Sequence, residues 1–134
     1  MGTALALDTN VLVRYLAQDD KRQSALATQW IEQRLSAARP AFVSLVTLME
    51  TVWVMQSRYG ADARTIADIV ADLLNTAVFE VQDAPAVRAA FALFVQGDVD
   101  LHDCLIVSLA DQRNATVLTF DRKAAKRLGM QLLR

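Results

Sequence analysis

The chain has 134 residues, 54% hydrophobic and 22% charged, with 15 acids against 14 lysines and arginines and a net charge of −1. That length and hydrophobic share suit a single domain over residues 1–134 whose core needs no staples, and no Ser-, Gly- or Pro-rich tract argues for disorder. One cysteine, Cys104, and one histidine, His102, exclude an intramolecular disulfide and a Cys/His zinc cluster.

Residues 4–7 form a short apolar run that stops at Asp8, and read as a strand. A helix starting near Asn10 is expected next, with Val11, Leu12, Tyr15 and Leu16 on its apolar side. Asp19 and Asp20 read as caps of a second helix running to about Ala38 and ended by Pro40. Residues 41–43 predict a strand, and Ser44 caps a helix that Gly60 ends. Asp62 starts another, whose Ile66, Ile69, Val70, Leu73 and Leu74 recur at helical spacing. Residues 78–81 read as a third strand, followed by a helix with Asp83 at its cap and Pro85 in its first turn, running to Gly97. A further helix spans about 100–113, the β-branched and aromatic run 116–120 is a strand, a short basic helix follows, and 130–133 adds an edge strand.

Strands separated by helices predict an α/β fold with a central, mostly parallel sheet and helices on both faces. Ligands of such sheets bind beyond the carboxyl ends of the strands, and an aspartate follows both Leu7 and Phe120. No apolar run approaches the ~20 residues that cross a bilayer. The start of the chain lacks the layout of a secretion signal, so the cytoplasm is the expected location.

Most of the acids have ordinary uses as helix caps or on polar helix faces. Four stand apart. Glu50 has Val46, Trp53 and Val54 at i−4, i+3 and i+4, so it is expected on the side of its helix that faces the core, where an unpartnered carboxylate is expensive. Asp103 has Val99, Ile106, Val107 and Ala110 around it in the same sense, although a first-turn position also favours an anion. Asp8 and Asp121 directly follow apolar strands, where an N-cap is the ordinary role. Two acids at strand ends and two on apolar helix faces can converge at one edge of a parallel sheet. Such a cluster needs cations, and with no histidine or cysteine set available the hard ions Mg²⁺ or Mn²⁺ fit. The chemistry that needs such a site is phosphoryl transfer in the wide sense, and nuclease action above all.

These residues also carry a resemblance. Asp8-Thr9-Asn10-Val11-Leu12-Val13 resembles the opening motif of PIN-domain proteins, and Glu50 at the end of Ser44–Glu50 resembles their second acid. Asp103-Cys104-Leu105-Ile106 resembles the third, with Cys104 where the family more often has alanine, and Thr119-Phe120-Asp121 resembles the fourth. The ordered set covers essentially the whole chain, and the subgroup it most resembles is the VapC-like toxins of toxin–antitoxin pairs. The resemblance implies a PIN-like three-layer sandwich and a ribonuclease with Asp8, Glu50, Asp103 and Asp121 as ligands of Mg²⁺ or Mn²⁺. It also implies support from Asn10 and Thr119, a homodimer, and a small cognate antitoxin that blocks the acidic pocket.

Arg14, Arg122, Lys123, Lys126 and Arg127 are candidate phosphate grips beside that site, since the net charge offers no global basic field; a solvated helix face is the alternative for each. His102 reads as an ordinary surface histidine and Cys104 as a small buried apolar side chain. Trp53, Met55 and Tyr59 are candidates for a subunit interface or for core. Three other functions remain open at this point. They are a haloacid-dehalogenase-like phosphatase, disfavoured by Asn10 where a second aspartate is needed; a noncatalytic binding module on the same fold; and an RNA-processing nuclease with no toxin role.

Overall fold

In a computed structural model, which describes residues 4–134, the chain divides into two compact units, Met1–Gln82 and Asp83–Arg134. The first runs β1 (Leu5–Ala6), α1 (Thr9–Ala17), α2 (Lys21–Gln29), β2 (Ala41–Val43), α3 (Leu45–Tyr59), α4 (Ala63–Asn75) and β3 (Phe79–Val81). Its three strands form a sheet in the order β1-β2-β3, paired in parallel throughout, with Leu5 opposite Ala41 and Ala41 opposite Phe79. Parallel neighbours cannot be joined by tight turns, so helices carry each crossover. The α/β class expected from the alternation is therefore what the chain adopts.

Each strand ends where the next helix needs a partner for its free N–H groups. Asp8 is extended (φ −82°, ψ 158°) and its Oδ1 accepts from Thr9 N at 2.8 Å. Ser44 Oγ accepts from Thr47 N at 3.1 Å, and Gln82 Oε1, just past β3, accepts from Leu45 N at 2.9 Å. Asp20 and Asp62 cap α2 and α4 as expected, accepting from Gln23 N and Thr65 N at 2.8 Å each. Gly60 ends α3 in a left-handed turn (φ 66°) that glycine adopts without strain.

Three expectations shift here. Asp19 is not a cap: its carboxylate accepts from the Tyr59 hydroxyl and from Arg14 Nη1. The second helix stops well before Pro40, because α2 passes into a π-helical segment Trp30–Arg34 and Leu35 turns extended to bury its side chain. A turn in which Ser36 and Arg39 exchange backbone hydrogen bonds then leads to β2. The third strand begins at Phe79 rather than Val78.

The core of this unit is built from Leu12, Ile31, Ala41, Val43, Leu48, Val52, Ile66 and Val70. On α3 the inward face is Thr47, Leu48, Thr51, Val52 and Met55, with the Thr51 hydroxyl satisfied by Thr47 O at 2.7 Å. Val46 and Trp53 are 70% and 61% exposed, so the side of the helix that carries Glu50 is the outward one. This corrects the expectation that those neighbours face the core.

The second unit runs α5 (Ala84–Phe94), α6 (Leu101–Asp111), β4 (Leu118–Thr119), α7 (Arg122–Leu128) and β5 (Gln131–Leu132), with β4 and β5 parallel and Leu118 opposite Gln131. Helix α5 packs on α6, and Val107, Ala124 and Met130 form one cluster that ties α6 to α7 and the approach to β5. Helix α5 ends at Phe94 rather than Gly97. Asp83 opens it with a left-handed backbone (φ 48°) and no side-chain cap. The predicted strand 116–120 pairs only over Leu118–Thr119, and 130–133 only over Gln131–Leu132. Among the described residues no helix is long and apolar enough to cross a membrane.

The two faces of α3 give a direct test. Leu48→Ala, at a side chain 1% exposed, should cost about 2–5 kcal/mol in urea denaturation. Val46→Ala, one helical face away, should stay within about 0.5 kcal/mol of the parent.

Candidate active site

In the first unit Asp8 lies at the start of α1, immediately after β1, and Glu50 lies on α3. Thr9, next to Asp8, donates from Oγ1 to Glu50 Oε1 at 3.2 Å. One threonine therefore presents its amide to the first acid and its hydroxyl to the second. Both carboxylates are exposed. Asp8 Oδ1 and Glu50 Oε1 are each occupied by a protein donor, and the second oxygen of each carries no hydrogen bond among the described residues. Asn10 is exposed and shares with Arg14 the edge of a mainly apolar cavity of about 440 Å³ between β1, α1 and α2. Arg14 is engaged within its own unit, with Nε donating to Gln23 Oε1 at 2.8 Å and Nη1 to Asp19 Oδ1 at 3.2 Å.

In the second unit Asp103 and Asp121 line one pocket of about 190 Å³ together with Asp98, Asp100 and Lys123. Asp121 N-caps α7, its Oδ1 accepting from Ala124 N at 3.0 Å, and its own N–H donates to Thr119 Oγ1 at 3.0 Å. Thr119 therefore supports Asp121 directly. Asp103 is half-buried in the first turn of α6. Burial and then the nearby Asp100 and Asp121 carboxylates push its pKa above the ordinary aspartate value, against a smaller opposing effect of His102. His102 is exposed, with Nδ1 3.5 Å from Asp100 Oδ1, and Cys104 is fully buried, its thiol pushed up mainly by that burial.

Each unit thus presents one pair of the four acids. Among the described residues no group of three or more His, Cys, Asp or Glu side chains is arranged to hold a metal ion. The donor chemistry is nonetheless uniform, since every acid offers oxygen alone, the preference of a hard cation.

A PIN domain family model matches residues 5–129, which spans all four acids. The chain belongs to the PIN domain family. Its similarity extends to a VapC ribonuclease of Aquifex aeolicus (strain VF5), 26% identical over 126 residues that make up 93% of this chain and 92% of that protein. The PIN family fold accounts for the α/β architecture and parallel pairing.

One residue of the pocket escaped the sequence reading of this PIN domain. Asp98, in the turn between α5 and α6, adopts a left-handed backbone (φ 62°) and binds two basic residues of α7. Its Oδ1 accepts from Lys123 Nζ and its Oδ2 lies 3.0 Å from Arg127 Nη2. Lys123, a candidate phosphate grip, is therefore paired. Nothing in the sequence joins positions 98 and 123, and an acid in a Gly-Asp turn reads as an ordinary loop residue.

Asp98 and Asp103 should titrate with opposite signs. The hydrogen bond from Lys123, and then its charge, hold Asp98 below the ordinary carboxylate value. Its stabilisation is present above the unfolded pKa and lost as pH falls through the lower folded value. Asp103 is raised, so its stabilisation is present below the unfolded pKa and lost as pH rises through the higher folded value. In EDTA at neutral pH, Asp98→Asn should lower Tm and Asp103→Asn should raise it. Both differences should shrink as pH falls and the carboxylates take up protons in both states.

Proposed function

We propose that the chain is a divalent-metal-dependent ribonuclease that hydrolyses RNA phosphodiester bonds, acting as the toxin of a toxin–antitoxin pair. The observation that carries this reading is the ordered set Asp8, Glu50, Asp103 and Asp121 within a PIN domain, together with the chain's similarity to a VapC ribonuclease. The family match runs across both compact units, which supports one PIN-like domain as the working body.

Asp8, Glu50, Asp103 and Asp121 would hold Mg²⁺ or Mn²⁺. The all-oxygen donor set fits a hard cation, and the charge crowding that raises Asp103 is what a bound cation would relieve. Such an ion supplies Lewis-acid activation of water and neutralisation of the scissile phosphate. The chain's own residues orient the ligands. Asp8, Glu50 and Asp121 each accept a hydrogen bond on one oxygen, from Thr9 N, Thr9 Oγ1 and Ala124 N, and keep the other for the site. Holding a carboxylate by one oxygen limits the rotation it must give up on ligation. Asp8 or Asp121 would accept the proton of the attacking water through the oxygen left open.

The partners follow the same reading. The apolar cavity beside Asn10 and Arg14 offers RNA little, but suits apolar side chains of a protein such as a small antitoxin. Of the interface candidates on α3, Trp53 and Tyr59 are exposed and support a homodimer; Met55 is buried core and takes no part. A cytoplasmic setting is consistent with this role.

Purified, antitoxin-free protein should cleave mixed RNA with Mg²⁺ or Mn²⁺ and not with EDTA. Asp8→Asn should reduce the rate by about 100-fold or more, equivalent to ~2.7 kcal/mol of barrier. Folded protein that binds no divalent ion and cuts no RNA would leave a binding module as the better account.

A further inference from the structure

We infer that Asp98 is a positioning residue, which holds the Lys123 ammonium on the wall of the pocket lined by Asp103 and Asp121 so that Lys123 can take a phosphate of bound RNA. The inference rests on the ribonuclease reading and extends it to a residue outside the four-acid set.

The geometry divides one carboxylate between two cations. Asp98 Oδ1 accepts from Lys123, and Oδ2 lies 3.0 Å from Arg127. Positions 123 and 127 are one turn apart on α7, so a single anion fixes a two-cation face of that helix. All three side chains remain about half exposed, at 54% for Asp98, 57% for Lys123 and 53% for Arg127, leaving the cations open to a ligand. The trio carries a net positive charge beside three further aspartates, Asp100, Asp103 and Asp121.

That placement matters because a lysine is a flexible point charge with three donors. Released beside Asp103 and Asp121, it would be drawn onto those carboxylates and would compete for the oxygens that the cation needs. Tied to Asp98, it spends one donor and keeps the others for a phosphate oxygen. The left-handed backbone of Asp98 (φ 62°) is a conformation that non-glycine residues avoid, and aspartate and asparagine tolerate it best. Asp98→Asn therefore removes the charge and leaves the turn able to form.

The test compares wild type, Lys123→Ala, Asp98→Asn and the double variant. It measures kcat and KM for a single-stranded RNA with Mg²⁺ across a salt series, RNA affinity in EDTA by fluorescence anisotropy, and Tm. Lys123→Ala should raise KM by about 3- to 10-fold with a smaller change in kcat, and should flatten the salt slope by about one phosphate contact. Asp98→Asn should raise KM in the same direction although it makes the protein more positive, and should weaken RNA in EDTA likewise. The double variant should be no worse than Lys123→Ala alone, the non-additivity expected of one residue acting through another. Tighter RNA binding by Asp98→Asn would overturn the inference, because it would make Asp98 a counterion that RNA displaces. A lowered Tm with unchanged kinetics, or additive losses in the double variant, would overturn it as well. Wild-type protein that cleaves while the variants behave in those ways separates this failure from that of the ribonuclease reading, in which wild type itself neither cuts nor binds RNA.

Discussion

Parallel pairing of β1, β2 and β3 obliges the chain to leave the carboxyl end of each strand into a connection long enough to return. A helix that starts there brings unsatisfied N–H groups with it. Asp8, Ser44 and Gln82, the residues met just past the strands, answer that demand. The same arrangement recurs in the second unit, where β4 ends at Thr119 and Asp121 caps α7. Capping uses one carboxylate oxygen and leaves the other, so a residue required by the backbone is also a residue available for chemistry. The capping role of Asp8 and Asp121 is therefore compatible with the ligand role proposed for them.

The α/β class, the chain order of elements and the caps at Ser44, Asp20 and Asp62 were legible because each rests on local rules of periodicity and hydrogen bonding. The family membership was legible in the ordered motifs around the four acids. Glu50 was singled out for a reason that the structure does not support. Val46 and Trp53 are apolar but face outward, while the threonines at 47 and 51 turn inward. Composition along α3 cannot distinguish its two sides, since both are largely apolar and the inward threonines hide their hydroxyls in bonds to Leu7 O and Thr47 O. Asp19 and Asp98 were misread or passed over for another reason. Their partners, Tyr59 and Lys123, are 40 and 25 positions away, and no local rule links such pairs.

The second unit sets two aspartates of opposite tendency in one pocket. Asp98 is stabilised as an anion by a lysine and an arginine, whereas Asp103 is crowded by burial and like charge. The first arrangement strengthens the fold and the second weakens it in the absence of a cation. A protein that keeps a crowded carboxylate next to a satisfied one is accepting instability at the position of a proposed metal ligand. Ligand binding to the folded state would then return part of that stability.

Cys104 lies on α6 directly after Asp103, with no exposed surface and a thiol whose ionisation is suppressed by burial. A thiol in that state is inert to alkylating and disulfide reagents until the helix around it opens. The chain carries no other cysteine, so any modification of the native protein by such a reagent reports a single event, the local exposure of the segment that bears Asp103. The lone thiol is in effect a built-in clock for the opening of that segment, readable without introducing a label site.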